Sequence, residues 1–201
     1  MKIGLVLAGG GGKGAYELGV WKALDELKLT KYITVFSGTS IGAFNSVLFA
    51  MNDMKKADEL WEEVTMDKLV PISKSELIKR GIGLYIGGKN LQLAKKFLNY
   101  KLEHGAIAND GAIEVVEKYL DFNKIKENNK ICYAACTKLS DFSAKYFKIN
   151  DFDEETGKKI VLASASLPLI YDCTEVLGEK YIDGGIADNI DRKSTRLNSS
   201  H

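Results

Sequence analysis

The sequence predicts an α/β fold with a mainly parallel central sheet flanked by helices. Three observations carry that expectation. Short apolar runs end in glycine-rich turns, each turn opens a segment of helical periodicity, and the order strand, turn, helix repeats twice within the first 51 residues. A chain of 201 residues is long enough for one well-buried core and short for two.

The first run, Lys2-Ile3-Gly4-Leu5-Val6-Leu7-Ala8, is nearly continuous in apolar residues, the pattern of a strand buried on both faces and central in its sheet. After Lys13-Gly14 the positions Tyr16, Val20, Ala23, Leu24 and Leu27 recur at helical spacing, with Glu17, Lys22, Asp25 and Glu26 between them, so an amphipathic helix is expected with those five facing inward. Ile33-Thr34-Val35-Phe36 predicts a second buried strand, and Ile41 to Met51 a second helix. Helical periodicity returns over 57–64, 91–102 and 112–120, with a glycine-spaced loop over 80–89. Lys130 to Thr137 and Ala144 to Ile149 read as strands joined through Ser140-Asp141-Phe142. Glu155 to Ser164 reads as a helix stopped ahead of Pro168. The apolar residues between Leu69 and Tyr100 suit either an acyl channel or lid, or ordinary core.

Composition narrows the function classes. With 45% hydrophobic and 27% charged residues, disordered and fibrous classes are set aside. The net charge of +1, with both signs interspersed, argues against a nucleic-acid surface. No apolar stretch approaches the roughly 20 residues needed to span a bilayer, and the N-terminus lacks a signal-peptide cleavage pattern, so a cytoplasmic protein is expected. Cys132, Cys136 and Cys173 lack metal-ligand spacing with any histidine and read as free thiols. The last eleven residues, 191–201, break the style of the chain and read as one frame of a sequencing-library adapter. A natural domain over 1–190 and a non-native tail over 191–201 are therefore expected.

Three segments carry chemistry. Gly38-Thr39-Ser40-Ile41-Gly42 fits Gly-x-Ser-x-Gly, a pattern that arises by chance in about one chain of this length in twenty. Its place between a strand and a helix gives it weight, because a tight turn there needs small flanking residues and lifts the serine oxygen to a helix N-terminus. The same serine would also serve as a helix cap. A serine hydroxyl needs a base, and only His104 and His201 are histidines; His104 reads as a solvent-facing helix-end residue and His201 lies in the tail. A partly desolvated carboxylate acting directly is the alternative. Asp183-Gly184-Gly185, after the strand-like Lys180-Tyr181-Ile182, offers one, although Asp-Gly is also an ordinary turn. Gly9-Gly10-Gly11-Gly12-Lys13-Gly14 links the first strand and helix, and its main-chain N–H groups suit an oxyanion. The loop also satisfies the dinucleotide fingerprint Gly-x-Gly-x-x-Gly, but the second strand ends in Ser37-Gly38-Thr39-Ser40 where that motif wants an acidic residue. Lys13 suits fixing this loop, meeting an anionic head group, or plain solvation.

Together and in this order, the three segments resemble the signatures of the patatin-like phospholipase family. Ala163-Ser164-Ala165-Ser166-Leu167-Pro168 is similar to a small-residue-plus-proline segment that the family carries before its aspartate. The resemblance implies a three-layer sheet sandwich, a dyad of Ser40 (nucleophile) and Asp183 (proton acceptor) without histidine, and an oxyanion hole from Gly9, Gly10, Gly11 and Gly12. Lys13, Gly14, Gly38, Gly42, Gly184 and Gly185 would support these motifs. It implies hydrolysis of lipid acyl esters with no metal and no cofactor, a lipid or acyl ester as partner, and peripheral membrane contact through that substrate. The family's Asn-x-Pro after the aspartate is met only as Asn189-Ile190, followed by Asp191.

Overall fold

The computed structural model describes residues 2–64, 110–168 and 170–189. The helix expected over 91–102, the loop over 80–89, His104, the Leu69–Tyr100 apolar set and the tail lie outside the described residues. The elements are β1 (Ile3–Leu7), α1 (Lys13–Glu26), β2 (Ile33–Thr39), α2 (Ile41–Ala50), α3 (Met54–Glu63), α4 (Asp110–Tyr119), α5 (Phe122–Glu127), β3 (Ile131–Lys138), β4 (Ala144–Lys148), α6 (Glu154–Ala165), β5 (Thr174–Val176) and β6 (Glu179–Asp183).

The sheet runs β1-β2-β3-β6-β5, with β4 also paired to β3. β1, β2 and β3 are parallel, as the strand–helix alternation requires. The β3–β4 and β5–β6 pairs are antiparallel because short turns link their strands, and the β3–β6 pair is antiparallel as well. The β5–β6 turn places Leu177 and Gly178 at φ 53° and 78°, the two positive values a tight primed hairpin needs. β5 and the six-residue α5 carry too little periodicity to be seen in sequence.

Consecutive residues of β2 from Val35 to Thr39, and of β3 from Ala134 to Thr137, are buried. Side chains alternate between faces along a strand, so these two strands are covered on both sides. β1 is not central, contrary to its apolar reading: among the described residues it ends the sheet, and Gly4 is exposed while Ile3, Leu5 and Val6 are half-buried. A continuous apolar run does not encode strand order.

The inward face of α1 also differs from expectation. Gly14, Leu18 and Trp21 are buried, whereas Tyr16, Val20 and Leu27 are exposed. The large indole decides the rotation of the helix: Trp21 stacks on Phe49 at 5.2 Å and meets Phe36 edge-on at 5.6 Å. Of the five positions expected inside, only Leu24 packs against the core. α2 is buried from Gly42 to Ala50 and packs on β1, β2 and β3, while α6 packs on β3, β5 and β6. α6 starts at Asp153, whose carboxylate accepts the Thr156 amide at 2.7 Å, and ends at Ala165, ahead of Pro168.

Candidate active site

Ser40 is the single residue between β2 and α2. Its backbone adopts φ 57° and ψ −127°, a strained region that costs a non-glycine residue about 1–3 kcal/mol. The turn is held from both sides. The Ser40 carbonyl accepts the Ala43 and Phe44 amides at 2.9 and 3.3 Å, and its own N–H donates to Ser164 Oγ at 2.9 Å. Gly38 and Gly42 are small because main chain passes directly over them. A β-carbon at Gly42 would collide with the Leu7 carbonyl, and one at Gly38 with the carbonyl of Gly42. The Ser40 hydroxyl makes no helix-capping bond. It lies close enough to the Asp183 carboxyl to lower that group's pKa.

Sheet register brings that carboxylate within reach. Thr39 pairs with Ala135 on β3, and the next β3 residue, Cys136, pairs with Asp183 along the same edge, the other edge being taken by β4. The ends of β2 and β6 therefore meet end to end on one edge of β3. Asp183 is fixed through its main chain: its N–H donates to the Ser166 carbonyl at 2.9 Å, and its own carbonyl accepts Thr137 Oγ1 at 2.8 Å. The carboxylate accepts the Gly185 amide at 2.7 Å, with the Ser40 hydroxyl beside it. Only 4% of the residue is exposed. Burial raises its pKa above the ordinary aspartate value, and the Ser40 hydroxyl and the Gly185 amide oppose that rise. A desolvated carboxylate against a hydroxyl is a stronger base than a solvated one.

The glycine loop closes the site from the β1 side, and its members diverge. Gly9, Gly10 and Gly11 line the same cavity as Ser40 and Asp183; Gly12 does not, standing instead at the N-cap of α1. The Gly9 amide is engaged, donating to Asn189 Oδ1 at 2.9 Å. Lys13 is exposed, and its stem crosses the position a Gly10 β-carbon would take. Gly14 is buried beneath the Trp61 ring. Gly184 is buried against the Ala135 carbonyl, which leaves no room for a side chain.

The cavity holds about 430 Å³, and apart from Ser40, Asp183, Ser166, Tyr171, Asn189 and the glycines its lining is apolar or aromatic, including Phe44, Leu60, Trp61, Val115, Val161 and Leu162. Trp61 is set by Asn45, which the sequence shows only as a polar interruption of α2. Trp61 Nε1 donates to Asn45 Oδ1 at 3.2 Å, and Asn45 Nδ2 donates to the Gly14 carbonyl at 3.1 Å and to Glu17 Oε2 at 2.9 Å. Burial raises the Glu17 pKa, opposed by its bonds from Asn45 and the Ala8 amide. Ser164, Ser166 and Asn189 are site residues that sequence reasoning did not assign a role.

A patatin-like phospholipase family model matches residues 5–194. The chain belongs to the patatin-like phospholipase family. Curated relatives of this patatin-like chain include lysophospholipase nte1 of Aspergillus terreus, 52% identical over 48 residues, which are 24% of this chain and 3% of that protein. Lysophospholipase NTE1 of Chaetomium globosum is 27% identical over 192 residues, 94% of this chain. The patatin-like chain spans 11% of that relative's length. Among solved structures, VipD from Legionella pneumophila superposes with a TM-score of 0.58 at 23% identity, covering 94% of this chain and 46% of that one. ExoU from the type III secretion system of Pseudomonas aeruginosa, in complex with SpcU, gives a TM-score of 0.50 at 18% identity, covering 84% and 39%. These two likenesses are of fold: an open sheet flanked by helices, as in the patatin-like structure described above.

Proposed function

We propose that the protein is a lipid acyl hydrolase of the phospholipase A or esterase type, acting through a Ser40–Asp183 dyad and an acyl-enzyme. The observation that carries this reading is the Ser40 hydroxyl beside a buried carboxylate at the wall of an apolar cavity. Asp183 takes the hydroxyl proton as Ser40 Oγ bonds to the acyl carbonyl carbon, and the carbonyl oxygen becomes an oxyanion. The amides of Gly10 and Gly11, on the cavity wall beside Ser40, receive that charge; each donor of this kind contributes about 10²–10³ in rate. Collapse breaks the ester bond, and the leaving oxygen takes the proton from Asp183. Water, deprotonated by Asp183, attacks the acyl-enzyme and releases the fatty acid with Ser40 restored.

The apolar walls suit an acyl chain, and the lysophospholipase names of the relatives suit a lysophospholipid. Leu167 and Ile186 line the cavity yet remain 41% and 52% exposed, a disposition that favours peripheral contact with a lipid surface. Among the described residues no helix is long and apolar enough to cross a membrane. A cytoplasmic site of action belongs to the same proposal. No observation favours the nucleotide or dinucleotide module: β2 ends at Thr39 and leads into Ser40 with no acidic residue, and the Gly9 amide is committed to Asn189. Purified protein incubated with a lysophospholipid is expected to release free fatty acid, and Ser40→Ala to release none above background. A folded parent that leaves both a lysophospholipid and an activated acyl ester intact would sink the proposal.

A further inference from the structure

The last turn of α6 reaches both members of the dyad through their main-chain amides. Ser164, fully buried, accepts the Ser40 N–H on its Oγ at 2.9 Å and donates its own proton to the Ala135 carbonyl at 2.6 Å. Two residues on, the Ser166 carbonyl accepts the Asp183 N–H at 2.9 Å. Ser166 is itself pinned, its hydroxyl bonding the Leu162 carbonyl and Thr174 Oγ1, each at 2.9 Å.

The Ser164 contact answers a specific need. The amide just before α2 has no partner within the helix, and Ser164 Oγ supplies one. A serine hydroxyl has one proton. Because Ala135 takes it, a lone pair is what faces Ser40, and the hydroxyl cannot rotate to offer its proton there instead. The Ala135 carbonyl belongs to β3, the strand whose register also places Asp183. Ser164 thus ties the strained turn to the strand that sets the dyad's separation.

We infer that Ser164 is a positioning residue for the nucleophile: its hydroxyl, anchored on the Ala135 carbonyl, holds the Ser40 main chain in the conformation that aims Oγ at Asp183. The inference rests on the Ser40–Asp183 reading for its catalytic consequence, though not for the hydrogen bond itself.

Two readouts separate these. In Ser164→Ala, kcat normalised to titrated active sites is expected to fall about 10–100-fold with KM nearly unchanged, the scale of a small misplacement of a reacting group. Ser164→Thr, which keeps the hydroxyl, is expected to restore most of it. Ile160→Val, a packing loss on the same helix away from the turn, is expected to leave normalised kcat at the parent value. Independently of turnover, hydrogen exchange of the Ser40 amide is expected to be slow in the parent and in Ser164→Thr, and at least about tenfold faster in Ser164→Ala. Should the alanine variant not fold, Ser164→Cys keeps the volume while weakening both bonds, and a fall in kcat with faster Ser40 exchange is again expected. Parent-level kcat, or a Ser40 amide equally protected in the variant, overturns the inference. A parent that hydrolyses no ester counts against the proposed function instead, and the exchange measurement still decides the role of Ser164.

Discussion

Asp183→Asn is expected to lower kcat/KM by about 10³–10⁴-fold while leaving the melting temperature unchanged or raised. The amide keeps an oxygen to accept the Gly185 N–H and nearly the same volume, so the surrounding contacts survive. It cannot take a proton from Ser40. The stability sign follows from burial. Desolvation raises the Asp183 pKa in the folded protein, so the fold prefers the protonated group. The stability contributed by that preference is fully present below the unfolded carboxyl's pKa, near 3.9, and is lost as pH rises through the higher folded value. At neutral pH the wild type holds a charge that the asparagine variant does not. The same shift predicts that kcat/KM falls, as pH is lowered, along an acid limb lying above the ordinary carboxylate range. Thermal melts of both proteins at neutral pH and a pH–rate profile of the parent check the pair of statements. A melting temperature depressed by several degrees in the variant, or an acid limb at or below pH 4, would contradict them.

Gly42→Ala is the second large effect. The added β-carbon meets the carbonyls of Leu7 and Ala8, both main chain at the end of β1, where no side chain can rotate aside. Overpacking of this kind costs about 3 kcal/mol, which lowers the melting temperature by roughly 6–12 °C for a chain of this size. Since relief requires α2 or the β1 end to shift, the Ser40 turn and the glycine loop separate, and turnover is expected to fall at least about tenfold even in the folded fraction. Gly19→Ala is the internal contrast: a β-carbon there meets nothing within 4 Å on an exposed turn of α1. That change is expected to stabilise by about 0.5–1 kcal/mol. Equal melting temperatures for the two variants would refute the steric account of the turn.

The parts of this site legible in the sequence are those whose cause is local. Gly38, Ser40 and Gly42 lie within five residues, and the strand before them and the helix after them have short-range signatures, so a strand–serine–helix turn could be read directly. Asp183 could be read only as a candidate, since its partner lies 143 positions away and the β3 register that joins them leaves no trace in composition. The roles of Ser164 and Asn189 were hidden for the same reason, since they act on main-chain amides of Ser40 and Gly9 at separations of 124 and 180 residues. The rotation of α1 was misread because two apolar sets share helical spacing, and only the aromatic packing of Trp21 on Phe36 and Phe49 chooses between them. The edge position of β1 was misread because an apolar run fixes neither strand order nor depth of burial: Gly4 is exposed and Ile3, Leu5 and Val6 are half-buried. Asn45 shows the converse: a polar residue in an apolar helix became explicable once Gly14, Glu17 and Trp61 were found around it.

The central claim is that Ser40 is an activated nucleophile, and covalent labelling by a fluorophosphonate probe tests it most directly. The parent and Asp183→Asn, each shown to be folded by its melting transition, are compared with Ser40→Ala. The account predicts stoichiometric labelling of the parent at Ser40, located by peptide mass, a labelling rate reduced at least about a hundredfold in Asp183→Asn, and none in Ser40→Ala. A folded parent that resists the probe, or one that labels equally well without the Ser40 hydroxyl, would contradict it.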